Sequence, residues 1–179
     1  MSTQETLTPI LALHGLTDFR WFDPHQVVVA QWVRMKCTFG CDSYGKSAAC
    51  PPHTPTVAEC RRLFDEYTLG AVLHFRSAMD KPEDRFDWMR EVNKSLLPVE
   101  RDVFLAGYPK AFLLFPHSCG LCKHCAGTPE ECKHPGSARP APEAMAVDVF
   151  STVRALGLPI EVLTDYTQPM NRYGILLVE

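Results

Sequence analysis

The sequence predicts an α/β fold: a single domain with a central sheet, helices on its faces, and two cysteine-rich metal-binding loops. Three observations predict it. Short β-branched or apolar runs alternate with segments of helical periodicity. The cysteines fall into two groups, and each group follows one of those runs. The stretches around both groups are rich in Gly, Ser and Pro, so they read as loops at strand ends, where a rigid sheet can hold functional side chains.

Residues 1–10 are read as a loose polar leader and 11–179 as the metal-binding domain. The run from Val27 to Val33 is β-branched and aromatic, and predicts a strand entering the first cysteine group. Gly40 to Pro55 is expected as loop. Thr56 and Glu59 form a capping-box pattern, and Val57, Cys60, Phe64 and Tyr67 continue it at helical spacing to about residue 68. Gly70 to Phe75 reads as a buried strand. Pro82 opens a second helix with Phe86, Met89 and Leu96 or Leu97 facing the core, and Pro98 is expected to kink or divide it before Gly107. Ala111 to Phe115 is strand-like and delivers the chain to the second cysteine group. Residues 116–141 are expected to be irregular. A helix is predicted from Glu143 to Leu156, with Met145, Val149, Val153 and Leu156 on one face. Ile160–Leu163 and Gly174–Val178 close the pattern as short strands.

Composition narrows the function. Apolar residues make up 46% and charged residues 22% of 179, enough to build a sizeable core without staples. With 18 basic and 21 acidic residues the net charge is -3, which argues against a nucleic-acid binder relying on bulk positive charge. No apolar run approaches the roughly 18 residues of a membrane span. The opening residues lack a basic region followed by a long apolar run. A cytoplasmic protein with reduced thiols is therefore expected. There is no GxGxxG, P-loop or GxSxG motif, so nucleotide binding and serine hydrolysis have no support.

The eight cysteines carry the chemistry. The second group is Cys119-x2-Cys122-x2-Cys125, with Cys132 further on. A tight C-x2-C-x2-C loop can wrap three corners of a cubane iron–sulfur cluster, and a remote cysteine closes the fourth. Lys123, Lys133 and Arg139 stand near enough in sequence to offset the anionic charge of such a cluster. Zinc sites more often use two separated pairs, so zinc is the alternative cofactor here. His124 and His134 read as exposed loop histidines.

The first group is Cys37, Cys41 and Cys50, in a locally basic segment with Arg34, Lys36 and Lys46. Basic neighbours favour thiolates. Cys50 is followed by Pro51, as some cluster cysteines are. Its C-x3-C-x8-C spacing is not a common zinc or ferredoxin pattern. Cys60 is the candidate fourth ligand, but it shares a helical face with Val57 and Phe64, and a buried cysteine behaves as a small hydrophobe. If Cys60 is core, this site has three thiolates and an open corner, unless His53 or an outside ligand fills it. Tyr44 and Asp42 could serve as proton donors or acceptors, with Tyr44 read as packing under the loop. Glu143 is explained by the helix dipole. His14, His25, His74 and His117 show no ligand spacing.

The two motifs together resemble a known family. Arg34-x-Lys36-Cys37-x3-Cys41-x2-Tyr44-Gly45-x4-Cys50-Pro51-Pro52, then Cys119-x2-Cys122-x2-Cys125 and Cys132-Lys-His-Pro135-x3-Arg139-Pro140, resemble a family of prokaryotic proteins described as predicted metal-binding proteins. The resemblance spans about residues 30–178 and implies a small cysteine-rich metalloprotein.

The expected function is an iron–sulfur protein with two [4Fe-4S] clusters, acting in electron transfer or redox chemistry. Its partner would be a redox protein or a small-molecule substrate, with no nucleic acid and no membrane. The first alternative is an iron–sulfur enzyme whose first cluster has an open iron. The second is a zinc-stabilised interaction module.

Overall fold

The computed structural model describes residues 1–179 except 79–80, 82 and 166–167. The start of the second predicted helix at Pro82 lies outside the described residues. Among the described residues there are five α-helices: α1 Thr3–Leu13, α2 Gln31–Gly40, α3 Val57–Asp65, α4 Asp84–Leu105 and α5 Val149–Ala155. The strands are β1 Phe19–Phe22, β2 Gly70–Ser77, β3 Phe112–Leu114 and β4 Met170–Leu177. They form one sheet in the order β1-β2-β4-β3, with every neighbouring pair antiparallel.

Strand alternation turns successive side chains to opposite faces, and each face buries its own cluster. Val72, Leu114, Ile175 and Leu177 pack with Val57, Cys60 and Phe64 of α3 and Val153 of α5. Ala71, Leu73, Leu113 and Leu176 pack with Leu7 and Leu11 of α1 and Leu96, Val99 and Val103 of α4. The result is a sheet with helices on both faces, as the α/β reading expected.

Several elements correct the sequence reading. The leader is mostly helix: Ser2 and Glu5 form a complete capping box, and Leu7 and Leu11 are fully buried. The strand predicted over Val27–Val33 is reduced to one bridge, Val29 to Val147, and Trp32 and Val33 already belong to α2. The β propensity of this run lost to tertiary packing. Pro98 lies inside the continuous helix α4. It sits on the exposed side, where the carbonyl freed at Lys94 can meet water, while Leu96, Val99 and Val103 pack inward. The helix predicted from Glu143 is split. A 3-10 turn, Glu143–Met145, ends in left-handed Ala146 (φ 60°), and α5 begins only after Asp148, whose carboxylate caps Ser151. Ala146 O accepts from Ala30 N–H at 2.9 Å, so pairing with the Val28–Ala30 segment interrupts the helix. Ile160–Leu163 forms no strand; Ile160 fills the core, and Pro159 O accepts from the Tyr173 hydroxyl. The aromatic strand β1 was not foreseen.

Candidate metal centre

All eight cysteines are free thiols. Two cavities divide seven of them. One, of about 460 Å³, is lined by Cys37, Cys41 and Cys50 together with Tyr44, Phe86, His117, Glu143 and Arg172. The other is a narrow space of about 40 Å³ lined by Cys119, Cys122, Cys125 and Cys132. Ser47, Ala48 and Ala49 line the second cavity and lead directly to Cys50 in the first, so one short turn separates the two.

A helix explains the spacing of the first group. Cys37 lies in the last turn of α2 and Cys41 is its C-terminal cap, so the two are four residues apart on one helix face. The strand expected before this group is therefore replaced by a helix. Cys50 is brought back by a turn in which Cys50 N–H donates to Ser47 O (3.1 Å) and Gly45 N–H donates to Pro51 O (2.9 Å). Gly45 has φ 68°, a left-handed backbone that glycine adopts without strain. Arg34 fixes the base of the group by donating to Pro55 O and Ala144 O, both at 3.0 Å.

The second group follows β3, as expected, in a segment without helix or strand. Helix α4 anchors both of its ends. Buried Asn93 donates to Ser118 O (3.1 Å) and Cys119 O (2.8 Å), and Arg90 donates to Gly120 O (2.9 Å). At the far end Arg139 makes a two-pronged ion pair with Glu100, whose carboxylate also accepts from Leu113 N–H.

The remaining candidates separate. Cys60 is fully buried among Val57 and Phe64, with its thiol directed at Pro55 O (3.5 Å), and lines neither cavity. His53 lines a third, apolar cavity with Leu63, Tyr67 and Phe112, away from the first thiol group; Cys132 of the second group also borders it. His14 pairs with Asp102, His25 with Asp23, and His74 with Asp18 and Asn171. Two residues set aside in the sequence, His117 and Glu143, do reach the first cavity, and Arg172 joins them there. Arg172, on β4, was given no role at all. No motif carries these three, and only the packing of β3, β4 and the Pro142–Ala146 turn brings them together. Tyr44 and Asp42 line the same cavity.

The electrostatics differ from thiol to thiol. Burial pushes Cys37 and Cys50 up, and the neighbouring thiols Cys41 and Cys37 add to the effect at Cys50. Burial likewise raises Cys119, with further repulsion from Cys132 and Cys125. Cys125 goes the other way. Burial raises it too, but hydrogen bonds from the Ala48, Gly127 and Ala126 backbone and from the Ser47 side chain outweigh that, and its pKa is lowered. The Ser47 side chain also bonds Cys50. Burial lowers His117 to about 4, so its imidazole is neutral, and burial raises Glu143.

Among the described residues no three His, Cys, Asp or Glu side chains are already arranged to hold a single metal ion. Among the same residues no helix is long and apolar enough to cross a membrane. Neither the curated proteins nor the solved structures give a match to this chain. One family does match, over residues 20–178 and so across both thiol groups: the chain belongs to the family described as predicted metal-binding protein (DUF2284).

Proposed function

We propose that this protein binds two iron–sulfur clusters, one at each thiol group, and that the first cluster keeps an open coordination position for a small molecule. The observation that carries the reading is the partition of seven thiols between two adjacent cavities, four to one and three to the other, with Cys60 in the core.

The donor set fits. Cys119, Cys122, Cys125 and Cys132 supply the four thiolates of a saturated cubane. Backbone N–H groups directed at Cys125 are the kind of sulfur hydrogen bond that tunes a cluster potential. The loop is pinned at both ends by α4 and is irregular between them, so it can widen around a cluster; metal binding and loop ordering then share one free energy. Cys37, Cys41 and Cys50 would supply three thiolates, and His117, Glu143 and Arg172 line the same cavity. Such clusters, when bound, supply one-electron chemistry and an open site supplies Lewis acidity. The chain's own residues bind and orient what enters: Arg172 and Tyr44 donate hydrogen bonds, and Glu143 can hold a proton beside the thiols.

The Cys60 position favours this open-site reading over electron transfer alone, because a saturated first centre would need a fourth ligand that Cys60 does not offer. The test is anaerobic purification with iron, acid-labile sulfide and zinc analysis. Close to eight irons and eight sulfides per chain are expected for two [4Fe-4S] centres (about four per four-thiolate cubane). Stoichiometric zinc without sulfide overturns the proposal.

A further inference from the structure

We infer that the third cavity, lined by His53, Leu63, Tyr67 and Phe112, binds a small uncharged ring compound, largely hydrocarbon, with one oxygen that hydrogen-bonds to His53. The inference goes beyond the proposed function and does not depend on what either thiol group holds.

Position and size come first. The cavity has a volume of about 460 Å³, within the roughly 300–1,000 Å³ range of small-molecule sites. Its floor is Ala49, Tyr67 and Met145, all buried. Its sides are Leu63 and Phe112, partly buried and packed on the core cluster shared by α3 and α5. His53, Pro55, Pro129 and Pro135 are exposed at its rim. A ligand seated here covers apolar surface continuous with that core, and removing this surface from water drives its entry.

The polar groups of the wall then select the ligand class. Among the described lining residues there is no Asp, Glu, Lys or Arg. The hydroxyls are already committed: Tyr67 donates to Lys110 O and Thr54 to Ala144 O, both at 2.9 Å. The backbone N–H groups of His53, Cys132 and Ala138 donate to Cys50 O, Pro129 O and His134 O. Four prolines in the wall bring no N–H at all. An anion entering this space loses its water and finds neither a countercharge nor a set of donors, and a cation finds no carboxylate. The His53 ring makes no hydrogen bond within the described residues. It donates or accepts one according to its tautomer. One polar anchor at the rim above an apolar floor suits a hydrocarbon body with a single oxygen.

Shape points to a ring. Lys110 Nζ lies 5.3 Å from the centre of the Tyr67 ring, and the Arg139 guanidinium 5.8 Å from that of Phe112. These cation–π contacts hold both rings, and neither cation lines the cavity. Fixed aromatic rings and proline rings give stiff walls. A rigid ring meets them at a lower entropy cost than a flexible chain does.

The test compares three probes with the same rings: 2-naphthol, 2-naphthoate and 2-naphthylmethylamine. Binding to the purified full chain is followed by ligand-observed NMR. Saturable binding of 2-naphthol is expected, roughly tenfold or more tighter than either charged probe. Leu63→Trp, which fills the cavity, is expected to weaken 2-naphthol roughly tenfold or more. His53→Leu, at an exposed position where folding is little affected, is expected to weaken it about threefold or more through the lost hydrogen bond. Phe104→Ala removes an exposed aromatic outside the cavity and is expected to leave binding unchanged. Absence of saturable 2-naphthol binding, or tighter binding of a charged probe, overturns the ligand class. Unchanged binding in a folded Leu63→Trp protein, or an equal loss in Phe104→Ala, overturns the site. Where Leu63→Trp does not fold, His53→Leu decides alone, and unchanged 2-naphthol binding in it overturns the assignment.

Discussion

Cys60 decides how many ligands the first centre has. Its thiol lies in the same core cluster as Val57 and Phe64, directed at Pro55 O, and lines neither thiol cavity. Cys60→Ala is expected to keep the full iron content and to lose about 1–2 kcal/mol of stability, the size of a small buried deletion. Loss of about half the iron, measured against the two-centre expectation, would make Cys60 a ligand and return the first centre to simple electron transfer. Ser47 is the other informative residue. Its side chain bonds Cys50 of one group and Cys125 of the other. Hydrogen bonds to cluster sulfurs favour the more negative reduced form and raise the potential. Ser47→Ala is therefore expected to lower the reduction potential of both centres in an EPR-monitored redox titration. Unchanged potentials would mean that the turn only separates the cavities.

Helix α4 works as the second group's clamp. Arg90, Asn93 and Glu100 all point from it to the loop between residues 118 and 139. Asn93→Ala removes the two donors and leaves the Ser118 and Cys119 carbonyls unpaired where Asn93 is buried. The expected cost is about 1–3 kcal/mol, read in a denaturation midpoint, together with weaker retention of the second centre during desalting. Wild-type retention would remove α4 from that role. Strand β4 sets the first cavity in a comparable way. A Cβ at Gly174 would stand 3.0 Å from Leu114 O and 3.2 Å from Pro116 Cδ. Pro116 leads directly to His117. Gly174→Ala is expected to destabilise by about 1–3 kcal/mol through overpacking and to displace His117 from the cavity. A variant as stable as wild type, with unaltered His117 NMR shifts, would show that β3 yields without consequence. Pro98 carries the opposite lesson: an imperfect residue is tolerated in α4 because it faces solvent and the packed face is elsewhere.

On the scale of the whole chain, metal and fold are expected to be one equilibrium. The segment from Pro116 to Ala141 contains no regular structure, so ligation must supply part of its order. Cys122→Ser is expected to lose the second centre and lower the melting temperature, by calorimetry and iron analysis on one preparation. Wild-type iron content and melting temperature would remove Cys122 from the site. The sequence by itself determined the α/β class, helix α3, strands β2 and β3, and the two thiol groups. Those features are written in local spacing: capping boxes, apolar runs and C-x2-C repeats act over a few residues. Tertiary structure alone decided that Val27–Val33 yields to helix α2 and that Ala146 breaks the helix after Glu143, whereas the helical spacing of Cys60 with Val57 and Phe64 already pointed it to the core. Tertiary structure also brought His117, Glu143 and Arg172 to three cysteines more than sixty residues away in the chain. Long-range packing makes these choices, because each depends on which face of a distant strand or helix a residue meets, and no local pattern records that.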